Sequence, residues 1–310
     1  MRHILSVMVL LAVVLFQGCS ERDERTETNA TKTVDPALLT LELQIGTAEL
    51  PENNETTVMV KTADGQEIAP DSGIVWHISD TNVTEINGTK LFAKAEGTAT
   101  VRAEANGKYS QEQNVTVYKI IHGHRLPPEP DPKINNSTLL GVDSNNNGVR
   151  DDVERWIYTR YDTYVPCKKI PKKMVIEGEE VEGFFTKECS DTPVSYHQIV
   201  REIAMQFGRA AQIIIQEPKK ARNTMKYLEA AVDCNGYFRI LAKDYGEPIL
   251  IDHYIFNDEF KDIQFNTLKR VRAFTEYNMA LGGGVYDMPK SDEIRAMCDF
   301  NITKLLMKNK

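Results

Sequence analysis

The chain has 310 residues, a formal charge of −8 and 26% charged side chains. That length suggests about two domains at roughly 100–200 residues each. The acidic excess argues against nucleic acid as a partner, because phosphate contacts rest on clustered Lys and Arg.

Arg2 and His3 precede an almost unbroken apolar run from Ile4 to Phe16, and small Gly18 follows. This pattern predicts a signal peptide over residues 1–19. The apolar run would span about 20 Å as a helix, short of the roughly 30 Å hydrocarbon core, and no later stretch approaches that length. Leu15-Phe16-Gln17-Gly18-Cys19-Ser20 resembles the lipobox of bacterial lipoproteins, although Phe16 and Gln17 depart from the family's Leu and Ala or Ser. The resemblance implies lipidation of Cys19 and, with Ser20 behind it, an outer-membrane anchor facing the periplasm or the cell surface. Residues 20–36 are polar and charged. They hold too little apolar surface to fold and predict a disordered tether.

From 37 to 118 the pattern changes. Leu41, Leu43 and Ile45, then Val58 and Val60, Ala99, Val101 and Ala103, and Val115 and Val117 alternate at period two, the mark of half-buried strands. Asp64-Gly65, Asn87-Gly88, Glu96-Gly97 and Asn106-Gly107 fall between these runs as hairpin turns do. An all-β sandwich is expected. The stretch from Val75 to Ala105, with Trp76 and the run EGTATV at 96–101, resembles bacterial immunoglobulin-like domains of group 2. The resemblance implies an immunoglobulin-like sandwich with Trp76 in its core, used for display or binding and not for catalysis.

Residues 119–142 contain LPPEPDPKINNSTLLG at 126–141, whose prolines predict a semi-rigid linker. His122 and His124 stand two apart, a spacing that puts both on one strand face and suits zinc, but no third ligand can be named.

Residues 143–154 read DSNNNGVRDDVE. Calcium takes about six to eight oxygens, so a loop must aim several carboxylates, amides and a carbonyl inward at once. Asp143, Asn145 and Asn147 supply alternate side chains and Gly148 the sharp turn. Val149 offers its carbonyl, Asp151 an oxygen directly or through water, and Glu154 a closing bidentate carboxylate. The spacing matches the EF-hand loop. Arg150 replaces the aliphatic residue of paired EF-hands and no amphipathic helix precedes Asp143, so the loop looks more like the solitary calcium loops of dockerin modules and thrombospondin type 3 repeats. The same residues also read as an Asx-turn connector that satisfies its own backbone and caps the next helix. Calcium (Ca2+) is the expected cofactor, stiffening the interdomain junction with an affinity of about 10⁻⁴ to 10⁻³ M.

The whole of 143–310 reads as this loop followed by a disulfide-braced, mainly α-helical domain with one small β-hairpin. The hairpin covers Lys172 to Phe185, turning at Glu177 and Gly178, with Met174 facing Val181 and Lys173 facing Glu182. Its Lys168, Lys169, Lys172 and Lys173 suit anionic lipid or polysaccharide, or simply a solvated edge. Helical stripes follow at Ile199, Ile203, Phe207, Ala210 and Ile214, and at Tyr227, Ala231, Cys234 and Phe238. Later helices are predicted over Thr267–Leu281, stopped by Gly282 to Gly284, and over Ser291–Leu306, with Ser291 as N-cap. Apart from Cys19, the four cysteines Cys167, Cys189, Cys234 and Cys298 are an even set in an exported chain, so disulfides are expected. Of three possible connectivities, Cys167 with Cys189 and Cys234 with Cys298 is favoured.

The chain lacks HExxH, GxSxG, a Walker loop and GxGxxG. His197 and His253 read as capping or packing residues, and Phe274 and Tyr277 as core. The function expected from these features is an envelope-anchored binding, adhesion or display module, its partner an envelope or extracellular protein or polysaccharide. An envelope hydrolase with its site in the helical domain, and a periplasmic scaffold or assembly partner, are the alternatives.

Overall fold

The computed structural model describes residues 41–176, 179–282 and 291–308. The signal peptide with Cys19, the tether, the Glu177-Gly178 turn and Gly283-Gly284 lie outside the described residues.

The alternating runs form β1 (Leu41–Ile45), β2 (Glu49–Pro51), β3 (Glu55–Thr62), β4 (Glu67–Ile68), β5 (Val75–Ile78), β6 (Thr84–Asn87), β7 (Lys90–Ala93), β8 (Gly97–Ala105), β9 (Lys108–Tyr109) and β10 (Gln113–Tyr118). One sheet runs β1-β3-β7-β6 with β4 beside β3, and a second runs β2-β10-β8-β5 with β9 beside β8. β10 lies parallel to β2, while the other pairs are antiparallel. Period two sends alternate side chains to one face, and Leu43, Val60 and Leu91 from one sheet share an apolar core with Val101, Ala103 and Val115 from the other. Trp76, opposite Ala103 at the β5 edge, is half-buried and packs against that core from its margin.

The proline-rich stretch behaves unlike a free spacer. It forms a small hairpin, β11 (Ile120–Ile121) with β12 (His124–Arg125), and a short helix, α1 (Pro132–Ser137). Leu126 is buried in the core of the helical region. Asp131 caps α1 by accepting from the Lys133 and Ile134 amides, and Pro132 occupies the first turn, where no amide partner is lost. Prolines fix the backbone locally; the docking comes from Leu126 and from side chains far along the sequence.

The rest comprises α2 (Asp151–Arg160), β13 (Thr163–Tyr164), β14 (Cys167–Ile176), β15 (Glu179–Cys189), β16 (Val194–Ser195), α3 (Gln198–Gln216), α4 (Ala221–Gly236), α5 (Asp258–Gln264), α6 (Leu268–Leu281), α7 (Ser291–Ile294) and α8 (Ile302–Met307). The hairpin pairs Met174 with Val181 and Lys173 with Glu182, as its sequence predicts. The whole α3 stripe is buried. On α4, Ala231 and Cys234 are buried but Tyr227 is exposed; Phe238 reaches the core from a wider π turn beyond the helix end. Thr267 caps α6 by accepting from the Arg270 amide.

The single helix expected over Ser291–Leu306 is two short ones. Cys298 is extended, and Asn301 restarts the chain as the N-cap of α8 by accepting from the Lys304 amide. The Cys234–Cys298 disulfide pulls this break onto α4, and the second disulfide joins Cys167 to Cys189 at the base of the hairpin. Among the described residues no helix is long and apolar enough to cross a membrane.

Candidate metal centre

The loop from Asp143 to Glu154 turns back on itself through its own side chains. Asp143 accepts from the Asn147 amide at 3.1 Å and from the Gly148 amide at 2.9 Å. Asn147 Oδ1 accepts from the Val149 amide at 2.9 Å. Gly148 sits at φ 83°, a left-handed conformation that residues with a Cβ avoid.

Glu154, in the first turn of α2, closes the coil. Its Oε2 accepts from Asn145 Nδ2 at 3.1 Å and Asn147 Nδ2 at 2.6 Å, and its Oε1 lies 2.6 Å from His124 Nε2. The carboxylate is wholly buried, and the His124 ring stacks on Tyr158 at 4.0 Å. Four of the six predicted ligand side chains and carbonyls therefore belong to one hydrogen-bonded set: Asp143, Asn145, Asn147 and Glu154. Asp151 accepts from the Ser144 amide of the same loop at 2.9 Å. Burial, with Asp143 and Glu154 nearby, holds its carboxyl above the usual range. The Val149 side chain is fully buried against α3, where a Cβ on Gly208 would come within 2.9 Å of it.

Two readings of the loop meet here. The Asx-type bonds to backbone amides are what a connector makes, yet the N-cap of α2 is Arg150 and has no side-chain cap bond. Glu154 is brought together with two asparagine side chains, as in a cation loop, but each offers its NH2 and not its oxygen. Among the described residues no three His, Cys, Asp or Glu side chains gather as a metal cluster. Here two of the converging groups are amides, which present an oxygen acceptor from the same end as the NH2 that Glu154 takes. The donor set is all oxygen once those amides turn, which suits a hard cation such as calcium.

His122 and His124 do not share a site. His122 occupies the hairpin turn at φ 50° and bonds Asp162 at 2.6 Å, while His124 bonds Glu154. His197 caps α3 through Nδ1, and His253 bonds Asp252. The His124–Glu154 contact was not legible in sequence, because the histidine comes from the preceding hairpin.

Arg150, out of pattern for a paired EF-hand, is fully buried. It pairs with Asp152 at 2.5 Å and donates to the Gln264 and Ile263 carbonyls at 3.0 and 2.6 Å. Arg270, equally buried, donates to the Asn135 and Leu139 carbonyls. Burial and the neighbouring Arg150 push its pKa down to about 10. A Cβ on Gly141 would fall 2.2 Å from Arg150 Cδ, so glycine is needed where the loop passes these guanidinium groups. The arginines fasten α1 and the loop to α5 and α6.

No protein-family model matches the chain, and no curated protein matches it. Among solved structures, domains 4 and 5 of the S-layer protein SbsC are similar at 15% identity and a TM-score of 0.20, over 26% of this chain and 53% of that one. Domains 1–6 of the same surface layer protein are similar at 14% identity and a TM-score of 0.21, over 50% of this chain and 23% of that one. The chain thus spans about half and about a quarter of these two structures. Likeness at this level assigns neither a family nor a function.

Proposed function

We propose that the protein is an exported, lipid-anchored module of the cell envelope that binds an extracellular or envelope partner, with calcium bracing its junction. The lipobox-like LFQGCS supports the anchor, and two disulfides suit an oxidising compartment. The paired sheets around one core support an immunoglobulin-like sandwich of the bacterial group 2 kind, although Trp76, expected in that core, stands at its margin.

One observation carries the calcium reading: Glu154 closes the loop at the residue before Arg155, and Arg155 reaches into the sandwich to Glu96. Asp143, Asn145, Asn147, the Val149 carbonyl, Asp151 and Glu154 would hold the ion, which supplies charge neutralisation and no chemistry. Fixing Glu154 fixes the start of α2, and with it the root of the Arg155 contact.

At calcium tenfold above its dissociation constant, mass action raises stability by about 1.4 kcal/mol. The test is a calcium titration by calorimetry, followed by melting with calcium and with chelator, on the wild type and Glu154→Gln. Calcium is expected to raise the wild-type melting temperature and leave the variant unmoved. Heat-silent titrations with identical melting curves would remove calcium from the reading. Binding to isolated envelope, lost by Glu154→Gln and by chelator, is the expected functional counterpart.

A further inference from the structure

Helix α6 leaves one face to solvent. Leu268, Val271 and Met279 are 64%, 46% and 70% exposed, while Arg270, Ala273 and Tyr277 on the opposite face are buried. At about 100° per residue, Leu268, Thr275 and Met279 lie along one line, with Val271 on one flank and Arg272 and Glu276 on the other. Beside the N-terminal half of the helix opens a groove of about 760 Å³, lined by Phe265, Leu268, Val271 and Phe274 and edged by Asp258 and Lys261. Apolar side chains this exposed, gathered on one helix beside an apolar groove, mark a contact surface.

We propose that this face is a two-fold contact between two copies of the chain, with α6 packed antiparallel on α6. The helix is self-complementary in that direction. The midpoint between Leu268 and Met279 falls at Ala273 and Phe274, so Leu268 of each copy meets Met279 of the other. Unbranched Met279 then fills the mouth of the groove beside Leu268. About the same midpoint, Arg272 of each copy comes level with Glu276 of the other on the shared flank, giving two opposite-charge pairs. A parallel two-fold pairing would put Arg272 and Glu276 of the two copies on opposite flanks of the seam, where they could not pair. Among the described residues Glu276 pairs with Lys219 at 3.7 Å, whose side chain is 85% exposed, and pairs of that kind yield easily.

A 14-residue helix on each side buries less than the roughly 1,600 Å² of a standard interface, which puts the contact among small, transient interfaces. The contact is independent of the calcium reading, because none of its residues belongs to the loop.

Sedimentation velocity on the full chain across the micromolar range tests it. The wild type is expected to associate reversibly to a dimer, and Leu268→Lys and Met279→Lys to stay monomeric with unchanged melting temperature. Arg272→Glu and Glu276→Arg should each weaken the dimer by about tenfold, since like charges then face each other; mixing the two should restore it, because every pair across the axis is again opposite. A wild type that remains monomeric at high micromolar concentration overturns the proposal, as does a dimer that survives both lysine substitutions. A mixture that fails to recover association overturns the antiparallel register.

Discussion

Arg155 holds Glu96 with both terminal nitrogens, Nη1 to Oε1 at 2.6 Å and Nη2 to Oε2 at 2.7 Å. The same guanidinium donates to the Pro127 carbonyl at 2.8 Å and pairs with Glu129. One side chain on α2 thus grips the turn before β8 and the proline-rich stretch together. Burial lowers the Arg155 pKa, but Glu96 and Glu129 outweigh it and the net shift is upward. The pair is a fork-to-fork bond with side chains 16% and 20% exposed, which places it between a surface pair and a buried one.

Arg155→Ala and Glu96→Gln should therefore each cost about 1–3 kcal/mol. The double variant should cost little more than the worse single, because the second loss removes a partner already unmatched. Urea unfolding of the four proteins measures the coupling. A coupling under about 0.3 kcal/mol would mean the contact is no stronger than an exposed pair. Cleavage by protease within residues 126–142 should rise in Arg155→Ala, since Pro127 loses its donor.

The two disulfides should respond differently to reductant. Cys234 is fully buried, whereas Cys167 and Cys189 are both exposed at the hairpin base. Thiol labelling under increasing reductant should report Cys167 and Cys189 first, and Cys234 and Cys298 only as the helical core opens. Loop closure over separations of 64 and 22 residues corresponds to about 4 and about 3 kcal/mol in the chain-entropy account. Cys234→Ala with Cys298→Ala should lower the global transition by the larger amount. Losing the exposed bridge should loosen the hairpin and leave the core transition nearly unmoved, because β14 and β15 form a two-stranded sheet of their own.

How much of this was legible depended on the range of the interaction. Period-two runs gave the strands, because a sheet with one wet face writes its pattern locally. Lys173 opposite Glu182 and Met174 opposite Val181 were legible because a short turn fixes hairpin register. Asp143, Asn145 and Asn147 could be placed on one coil for the same reason. The docking of Leu126 was not legible, since prolines announce backbone geometry and say nothing of distant cover. Nor were Arg150 and Arg270, two charges whose burial is sustained by carbonyls more than a hundred residues away. Arg150 left one trace, as the residue out of place in the EF-hand pattern. The break at Cys298 was hidden because apolar spacing on either side of it still suits a helix.

Glu247 sets an acid-side prediction. Its Oε1 takes Arg295 Nη2 at 2.8 Å, and its Oε2 takes the Tyr237 hydroxyl at 2.8 Å. Burial raises the carboxyl pKa, but the bonds from Arg295 and Tyr237 outweigh it and the net shift is downward. Burial, followed by Glu247, pushes the Tyr237 hydroxyl up to about 12, so the tyrosine remains a donor throughout the acid range. A carboxyl depressed in the folded state stabilises above its unfolded pKa, near 4.5, and that contribution fades as pH falls through the lower folded value. Arg295 is 37% exposed, so solvent screening limits the contribution to about 1 kcal/mol. Glu247→Gln still accepts from Tyr237, and the substitution isolates the charge offered to Arg295. Urea unfolding from neutral pH down to pH about 3 should show the variant less stable at neutrality, the two curves converging below the ordinary carboxyl pKa. Curves that stay parallel to the acid end would mean that Arg295 gains nothing from the ionised carboxylate.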